Sequence, residues 1–298
     1  MVKNDSQYLK FMDKALEFAK DVPKHFSKFS NKIFCNHQKI VLLVLKQKLR
    51  TTYGGLVEWL KIAEDIRLLI GLSRIPHHTT LVKFARKIKP KLLNLLLPYR
   101  KAKVVGLDGT GFEVENRSMH YQVRTSMYSY RRYIKLGISA DLDKQIILKQ
   151  SIHKGPRHDS KDFMPLLKGI KAKVACADKG YDSYMNHKIV IKNLNAKSLI
   201  KIKDHSCNKR VIRAGRKYRE QARREFDEKL YHQRSKVESI FSSVKRKYGS
   251  CLKARTFDSQ KKEVICNYLA YNIDRVIKIY SLFIRGFQQS PQYINYLN

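Results

Sequence analysis

Three carboxylates in this chain stand in settings that could do chemistry on phosphate esters. Asp108 lies in VVGLDGTG, Asp178 in VACADKGYDS and Glu238 in YHQRSKVESIFSSVKRKYG. The first two each follow a short apolar run typical of a strand, and the third lies in a basic segment with helical character. Mg²⁺ prefers carboxylate oxygens and keeps coordination positions for water and phosphate oxygens. Because paired ions can bind both the attacking and the leaving oxygen of an in-line displacement, these acids indicate a metal-dependent phosphoryl-transfer site.

Both aspartates also have structural explanations. Asp108 could end its strand and begin a turn with Gly109. Asp182 and Ser183 stand directly before a helical pattern, and we expect Asp182 to cap that helix. Asp178, at the end of its apolar run, is then the freer ligand, because ligands of such sheets bind beyond the carboxyl ends of the strands.

Glu238 is preferred over neighbouring acids because of the side chains on its predicted helix face. Tyr231 and Arg234 precede it by seven and four residues, and Lys245 follows it by seven. At 100° per residue, all four lie within roughly 40° of one another. These donors suit phosphate oxygens, and arginine can bind them bidentately. Arg234 and Glu238 could also be an ordinary helical ion pair, and such a pair is compatible with a role in the site.

The charge balance indicates a polyanionic partner. The 298 residues include 62 Lys and Arg against 25 Asp and Glu, a net charge of +37. Nucleic acid is the leading candidate, because neutralising phosphates releases counterions and gives salt-sensitive affinity. Within residues 201–262, 20 basic side chains face 7 acidic ones, and this excess would guide DNA toward Glu238. A membrane surface fits poorly, since the basic residues run through the whole chain rather than flanking one anchor.

The remaining composition indicates a soluble protein with no disulfide framework. The start, MVKNDSQYLKFMDK, is charged, and runs such as IVLLVL are too short to span a bilayer. We therefore expect a cytoplasmic protein that associates with the nucleoid when bound to DNA. The five cysteines include no CxxC pair, which argues against a zinc finger. His205 and Cys207 are interpreted as loop residues, because no second pair completes a metal site.

Residues 1–100 are predicted to be helical. Apolar residues recur at spacings of three and four in YLKFMDKALEFAKDV, HQKIVLLVLKQKL and LVEWLKIAEDIRLLIG. The last of these, followed by LSRIP and HHTTLVKFARKIKP, has the form of helix, short turn and helix, with Thr79 and Thr80 marking the new start. Lys83, Arg86 and Lys87 share one surface of the second helix. A DNA-binding helix-turn-helix and a bundle helix with a solvated basic face fit equally well.

From residue 101 the pattern changes to strands alternating with helices. Strand-like runs occupy 103–107, 133–142, 145–153, 173–177 and 197–202, and helical patterns occupy 159–170, 182–194, 231–247 and 260–283. The second and third runs are predicted to form a hairpin, and the later ones to pair in parallel through helical crossovers. We therefore predict an α/β domain, a mixed sheet flanked by helices, over residues 101–285. It follows an all-helical region, 1–100, and precedes a tail, 286–298.

Taken jointly, these motifs resemble those of DDE-type insertion-sequence transposases with the Tyr-Arg-Glu-Lys signature. The spacing Tyr231-x₂-Arg234-x₃-Glu238-x₆-Lys245 reproduces that signature. LDGT around Asp108 and ADKGYDS around Asp178 are similar to the two aspartate motifs, in the same order. The separations, 178 − 108 = 70 and 238 − 178 = 60, suit the family. The resemblance covers about residues 103–250.

The resemblance implies a ribonuclease-H-like catalytic fold. Asp108 would lie on the first strand, Asp178 after the fourth and Glu238 on a late helix, together binding two Mg²⁺ or Mn²⁺ ions. The implied activity is cleavage at the element's ends, followed by attack of the freed 3′-hydroxyl on target DNA. Tyr231, Arg234 and Lys245 would contact double-stranded DNA near the scissile phosphate.

The resemblance bears on assembly as well. Residues 1–100 would recognise the element's ends, and a homodimer on DNA is expected because two ends must be brought together. Some relatives have a long β-strand insertion before the glutamate helix. Only about 30 residues separate the fifth strand from that helix here, so we expect the insertion to be short or missing.

Two other functions remain open. A nuclease or resolvase of the same fold would cut without joining, and the three acids do not distinguish it from a transposase. A transposon-derived protein that only binds DNA should have lost a carboxylate, whereas all three are present.

Two histidines follow the third strand-like run. His153 and His158 could assist proton transfer. We favour the interpretation that His158-Asp159-Ser160 is a loop in which Asp159 or Ser160 caps the next helix.

Overall fold

The computed structural model describes residues 6–29, 32–97, 99–114, 133–203 and 216–288. The chain divides into two compact units. One consists of Met1–Leu96 with Val264–Asn298, and the other of Leu97–Glu263. None of the helices in the described ranges has both the length and the apolar character that crossing a membrane requires.

The first unit is helical in its described residues. It contains α1 Gln7–Ala19, α2 Asn36–Lys48, α3 Tyr53–Ile62, α4 Glu64–Leu69, α5 His78–Lys87, α6 Pro90–Leu95 and the part of α12 (Phe257–Gln288) from Val264 onward. The run IVLLVL is fully buried on α2, which explains its apolar character without a membrane. An ion pair links α2 to α12: the Nζ of Lys48 lies 2.7 and 2.8 Å from the two carboxylate oxygens of Asp274.

The predicted helix over LVEWLKIAEDIRLLIG is two helices. Ala63 leaves the helical conformation, with φ −93° and ψ 66°, and separates α3 from α4. Glu64 and Asp65 then lie in the first turn of α4, where carboxylates are stabilised by the helix dipole. Residues 70–77 separate α4 from α5, so the connection is longer than the predicted turn. His77 caps α5 by accepting the N–H of Thr79.

The second unit is built on a mixed sheet. Its strands are β1 Lys101–Val114, β2 Ile134–Asp141, β3 Ile146–Lys154, β4 Lys171–Ala177, β5 Lys197–Ile200 and β6 Cys251–Leu252. The order is β3-β2-β1-β4-β5, and β6 pairs with the end of β1. β1, β2 and β3 are antiparallel, so the predicted hairpin is confirmed. β4 and β5 extend the sheet in parallel, as their helical crossovers predicted.

Helices cover both faces of this sheet. They are α7 Phe163–Leu167, α8 Tyr184–Lys188, α9 Arg216–Arg224, α10 Glu228–His232 and α11 Ser235–Tyr248. On one face Val105 and Leu107 of β1 join a buried cluster with Phe163 and Leu166. On the other face Val237 of α11 packs against β1 at Gly106, because side chains alternate along a strand. The predicted fold class, a mixed sheet flanked by helices and preceded by a helical region, is confirmed.

β1 is much longer than the predicted strand 103–107. Asp108 and Gly109 do not form a turn, because they pair with Ile138 and Gly137 of β2 and the ladder continues to Phe112. Gly109 allows a close approach here: a Cβ at this position would lie 2.7 Å from Asp159 Oδ1. The glycine that suggested a turn is therefore a strand position over which the ends of the Asp159 and Lys135 side chains lie.

Several predicted elements differ in detail or lie outside the described residues. The helical pattern 159–170 is a 3₁₀ turn followed by α7, and 182–194 is α8 followed by a π-helical turn. α12 continues through residues 286–288, which were expected to belong to the tail. His205, Cys207 and residues 289–298 lie outside the described residues. Between β5 and α11 the described residues form α9 and α10 and contain no strand.

Candidate active site

The two aspartates lie side by side where the parallel pairing of β1 with β4 ends, Asp108 within β1 and Asp178 directly after β4. The ladder between β1 and β4 ends at the pair Leu107–Ala177, and Asp108 and Asp178 are the next residues of their strands. Asp178 begins a tight turn in which the Tyr181 N–H donates to its backbone oxygen at 2.9 Å. The topology thus places both carboxylates where ligands of such sheets bind.

Helix α11 supplies Glu238 on the face of β1 that carries Asp108. Gly106 and Asp108 are two residues apart and so point to the same face, and a Cβ on Gly106 would lie 2.6 Å from Val237 Cγ2. Val237 is fully buried there. Glu238 follows it, with 55% of its side chain exposed. The missing side chain at position 106 therefore lets the helix approach the strand closely.

Arg234 links the acids. Its Nη2 lies 2.8 Å from Glu238 Oε1 and its Nη1 lies 3.3 Å from Asp108 Oδ2. Burial opposes its charge, but the pKa of Arg234 is still raised, because Glu238, Asp108 and Asp178 all act on the guanidinium. The structure therefore joins two of the predicted acids, Asp108 and Glu238, through one guanidinium, and Asp178 acts on it through its charge without a direct contact among the described ones.

Asp108 is held in an environment that opposes its ionisation. Burial is the main cause that raises the pKa of its carboxyl group. The Gly109 N–H, which donates to Oδ1 at 2.8 Å, and the Arg234 charge act in the opposite direction. Glu238 and Asp178 raise the pKa further through like-charge repulsion. An added cation would relieve this repulsion.

The donors fit a divalent cation in type and in sign. Carboxylate oxygens are the ligands that Mg²⁺ and Mn²⁺ prefer, and the negative charge here already attracts a guanidinium. In the arrangement of the described residues, no three His, Cys, Asp or Glu side chains are close enough together to hold a metal. Arg234 lies between Asp108 and Glu238 instead. Asp108, Asp178 and Glu238 are the side chains that could hold the ion once the guanidinium withdraws.

The helix face predicted for residues 231–247 is interrupted. Tyr231 belongs to α10 and Lys245 to α11, and a tight turn joins these two helices. In this turn the N–H of Arg234 donates to the Tyr231 carbonyl and the N–H of Val237 donates to the Arg234 carbonyl, both at 2.9 Å. Such bonds between residues three apart wind the backbone more tightly than an α-helix. The uniform 100° rotation assumed from sequence was wrong at this point.

Tyr231 is a buried support of Arg234. Its side chain packs against Phe226, with ring centroids 5.2 Å apart, and the residue is 8% exposed. Burial raises the pKa of its hydroxyl, while Arg234 lowers it through its charge and a hydrogen bond. Tyr231 therefore holds the guanidinium in place, and little of its ring is open to a ligand.

Lys245 lies on the same face of β1 as Asp108. Its Nζ donates to Thr110 Oγ1 at 2.8 Å and lies 5.4 Å from the centre of the Phe112 ring. Asp108 and Thr110 are two residues apart on the strand and so share a face. Burial lowers the pKa of Lys245, although Glu113 opposes the effect. A partly desolvated ammonium group is thereby held beside Thr110, two residues along β1 from Asp108.

The basic residues predicted on the second N-terminal helix belong to the first unit. Lys83, Arg86 and Lys87 are exposed on α5. Leu81 and Phe84 of the same helix are buried. The helix thus has one apolar face packed in the unit and one basic face.

Two cap predictions were wrong. Ser183 caps α8, since its Oγ accepts the N–H of Asn186 at 3.1 Å. The Asp182 side chain is instead 1% exposed. Its carboxylate pairs with Arg219 Nη2 at 2.6 Å and with His187 Nε2 at 3.1 Å. Burial opposes its ionisation, but these hydrogen bonds and the Arg219 charge outweigh burial and lower the pKa of Asp182. Sequence reasoning missed this carboxylate because its partners lie 5 and 37 residues further along the chain.

The loop after β3 also differs from expectation. His158, and neither Asp159 nor Ser160, caps the 3₁₀ turn by accepting the Ser160 N–H. Asp159 pairs with Lys135 at 2.6 Å. His153 lies 3.0 Å from the buried Asp162, and burial lowers its pKa despite the attraction of that carboxylate. Lys135–Asp159 and Arg157–Asp162 are therefore the ion pairs of this loop, and the lowered pKa of His153 favours its neutral form.

Comparison with known protein families gives a match over the part of the chain that contains the three acids. A family model described as a transposase DDE domain matches residues 99–273. Curated proteins give no match. The matched range contains Asp108, Asp178 and Glu238, and the sheet order is consistent with the ribonuclease-H-like fold of such transposases. Since the match covers more than half of the 298 residues, the chain belongs to the transposase DDE domain family.

Proposed function

We propose that this protein cleaves DNA at the ends of a transposon and joins the freed ends to target DNA in a metal-dependent reaction. The observation that supports the proposal is the contact of the Arg234 guanidinium with both Asp108 and Glu238, beside the point where the parallel pairing of β1 and β4 ends at the residue before Asp178. Local sequence alone does not bring together a carboxylate within β1 and one on α11, which are 130 residues apart in the chain. The net charge of +37 supports a DNA substrate.

In this proposal the three carboxylates hold two Mg²⁺ or Mn²⁺ ions. When bound, the ions would activate the attacking oxygen and stabilise the leaving oxygen of the phosphodiester. The chain's own contribution is to hold the Asp108 carboxylate in a largely buried position. There it accepts hydrogen bonds from the Gly109 N–H and from Arg234. A carboxylate that is poorly hydrated and surrounded by other acids gains most from an added cation.

Arg234 and Lys245 are proposed to bind the DNA backbone. Arg234 neutralises the acids in the free protein, and its planar donors suit a phosphate group equally well. Lys245, fixed by Thr110, presents a second positive charge on the same face. Tyr231 is proposed to act on DNA through Arg234, because its own ring is largely buried. Together with Glu238, these three residues constitute the proposed Tyr-Arg-Glu-Lys signature.

The first unit is proposed to recognise the transposon ends. Lys83, Arg86 and Lys87 give α5 an exposed basic surface, which suits contacts with phosphates. A homodimer on DNA is proposed because both ends must be held together for joining.

A strand-transfer assay tests this function. The full-length protein is incubated with labelled double-stranded transposon ends, a target plasmid and Mg²⁺, with EDTA as the control. We expect nicked ends and a covalent product joining the end's 3′-hydroxyl to the plasmid. Cleavage without joining would instead identify a nuclease or resolvase. Salt-sensitive binding without any cleavage would identify a DNA-binding protein and overturn the proposal.

A further inference from the structure

We propose that Asp182 is a positioning residue that anchors the basic helix α9 to the loop carrying Asp178. DNA lying along α9 would then be held in a set position relative to the catalytic acids. The inference rests on the proposed function for its catalytic consequence. The anchor itself is a property of the protein without DNA.

The Asp182 carboxylate is fully engaged in the interior. Its Oδ2 accepts the Lys203 N–H at 2.8 Å and Arg219 Nη2 at 2.6 Å, and its Oδ1 lies 3.1 Å from His187 Nε2. The side chain is 1% exposed. A buried charge with this many donors holds them in one geometry, because any partner left unpaired would be costly.

His187 extends the network to the sheet. Its Nδ1 lies 3.0 Å from Ser198 Oγ on β5, and both residues are completely buried. If Nε2 donates to Asp182, Nδ1 is the acceptor for the Ser198 hydroxyl, a tautomer assigned from the hydrogen-bond pattern. The carboxylate is therefore fixed against the rigid strand as well as against α9.

The same loop holds the catalytic aspartate. The Tyr181 N–H donates to the Asp178 carbonyl at 2.9 Å, and the Asp182 N–H donates to the Lys179 carbonyl at 3.2 Å. These consecutive tight turns connect Asp182 to Asp178 through only three intervening residues. A second contact joins the two segments, since the rings of Tyr184 and Tyr218 lie 5.6 Å apart. Movement of α9 is thereby coupled to the Asp178 loop.

Helix α9 has the charge expected of a DNA-backbone contact. Its sequence, RKYREQARR, contains five basic residues and one acidic residue. Lys217, Arg223 and Arg224 are exposed, whereas Ala222 is buried. Arg219 differs from these three because it points inward to Asp182, with 31% of its side chain exposed. One arginine fixes the helix while the others suit phosphates.

The experiment compares full-length Asp182→Asn, Arg219→Gln, Arg219→Lys and the double variant Asp182→Asn/Arg219→Gln. Asp143→Asn, at an exposed position in the β2–β3 turn, is the matched control. Two quantities are measured: amide hydrogen exchange of residues 217–224 without DNA, and the single-turnover cleavage rate at saturating protein. Arg219→Gln carries the test if Asp182→Asn does not fold, because Arg219 is partly exposed.

We expect exchange in α9 to become about tenfold faster in Asp182→Asn and Arg219→Gln, through local opening. On bound DNA the cleavage rate should fall about 10- to 100-fold, as expected for misplaced groups. The double variant should be no worse than the more affected single variant, and Arg219→Lys should recover part of the rate.

Two results would overturn the inference. Unchanged exchange in α9 would show that Asp182 does not anchor the helix. Faster exchange with a wild-type cleavage rate on bound DNA would show that the anchor has no positioning role. If the wild-type protein itself cleaves no DNA, the proposed function fails. The anchor is then judged by hydrogen exchange alone.

Discussion

A single guanidinium contacts two of the three carboxylates proposed as metal ligands. Arg234 lies 2.8 Å from Glu238 and 3.3 Å from Asp108, and Asp178 also acts on its charge. If the proposed metal binds here, Arg234 would have to give up its contacts with Asp108 and Glu238. On the proposed function, the side chain is therefore both a substitute counter-ion and a competitor of the metal.

Replacing Arg234 should therefore have opposite effects on metal and on DNA. We expect Arg234→Gln to bind Mn²⁺ more tightly in the absence of DNA, by up to about fivefold, the equivalent of the ~1 kcal/mol of a partly exposed ion pair. Its affinity for DNA should fall. Isothermal titration calorimetry with each ligand measures both effects. Weaker Mn²⁺ binding by the variant would show that Arg234 organises the metal ligands instead of competing with the metal.

The pH dependence of stability should show that ionised Asp108 destabilises the folded protein. Burial and the neighbouring acids raise its folded-state pKa, and this direction already includes the opposing effect of Arg234. A group whose pKa is raised on folding stabilises the protein below its unfolded-state pKa, and that stabilisation is lost as pH rises through its folded-state pKa. At neutral pH, ionised Asp108 therefore reduces stability relative to a neutral side chain.

Asp108→Asn should accordingly raise Tm at pH 7 in EDTA by about 2–4 °C, the change expected for about 1 kcal/mol in a domain of 150–250 residues. The gain should disappear below about pH 4, where the wild-type carboxyl is protonated in both states. Thermal melts of the two proteins at both pH values provide the measurement. A lower Tm for the variant than for wild type at pH 7 would show that the surroundings of Asp108 do not oppose its ionisation.

Sequence reasoning at the residue scale works where the signal is local. Asp108 and Asp178 were found because each directly follows an apolar strand run. Asp182 was assigned to a cap because it stands directly before a helical pattern, whereas the residue that caps α8 is its neighbour Ser183. Its true partner Arg219 lies 37 residues further along the chain, a distance over which spacing contains no information about contact.

At the scale of elements, the site depends on how closely α11 approaches β1. Gly106 makes that approach possible, because a Cβ there would meet Leu142 Cδ2 at 2.5 Å and Val237 Cγ2 at 2.6 Å. Glu238 follows Val237 directly on the same helix. The position of Glu238, the proposed catalytic acid, therefore depends on a glycine two residues before Asp108.

Gly106→Ala should destabilise the protein and impair cleavage together. Overpacking in a core costs about 1–3 kcal/mol, and relief of the clash must move α11 and Glu238 away from β1. Urea unfolding measures the first effect and single-turnover cleavage the second. Gly180→Ala is the control for stability, because its added methyl group has no heavy atom within 4 Å. Equal stability of the two variants would contradict the close packing.

Element types were predictable from periodicity, and their ends were not. β1 continues seven residues beyond the predicted end at 107 because β2 and β6 pair with residues as far as Val114. The helix predicted over 231–247 contains a tight turn at Arg234. That turn brings the guanidinium to the acids, and it leaves no trace in hydrophobic spacing. Tertiary contacts determined both departures.

At the scale of the whole molecule, we expect the net charge of +37 to be the main determinant of the proposed DNA affinity. Removing one side chain that neutralises a phosphate should reduce the slope of log affinity against log salt by about 0.9. We expect the triple variant Lys83→Gln/Arg86→Gln/Lys87→Gln to reduce the slope by about 2–3. The affinity for duplex DNA, measured at salt concentrations from about 50 to about 200 mM, provides the test.

A matched triple variant distinguishes a DNA-binding surface on α5 from the effect of total charge. Lys10→Gln/Lys20→Gln/Lys24→Gln removes the same charge from exposed positions of the first unit. Its slope should change by less than that of the α5 variant. Equal changes would mean that α5 has no special contact with DNA.

The fold class was predictable at this scale, because strands that alternate with helices restrict the topology. The order β3-β2-β1-β4-β5 agrees with that prediction. The assignment of residues from Val264 onward to the first compact unit was not predictable, because the uninterrupted pattern of α12 contains no boundary signal.

The central claim is that Asp108, Asp178 and Glu238 together form the catalytic metal site. Its most direct test is the Mg²⁺-dependent cleavage rate of transposon-end DNA by Asp108→Asn, Asp178→Asn and Glu238→Gln, with Asp143→Asn as the control. Each of the first three should lose activity by about 1,000-fold or more, as expected for residues that act as a unit, while the control cleaves at the wild-type rate. The expected loss of transition-state stabilisation corresponds to much more than a tenfold fall in rate. Cleavage above about a tenth of the wild-type rate by any one of the three variants would therefore contradict the claim.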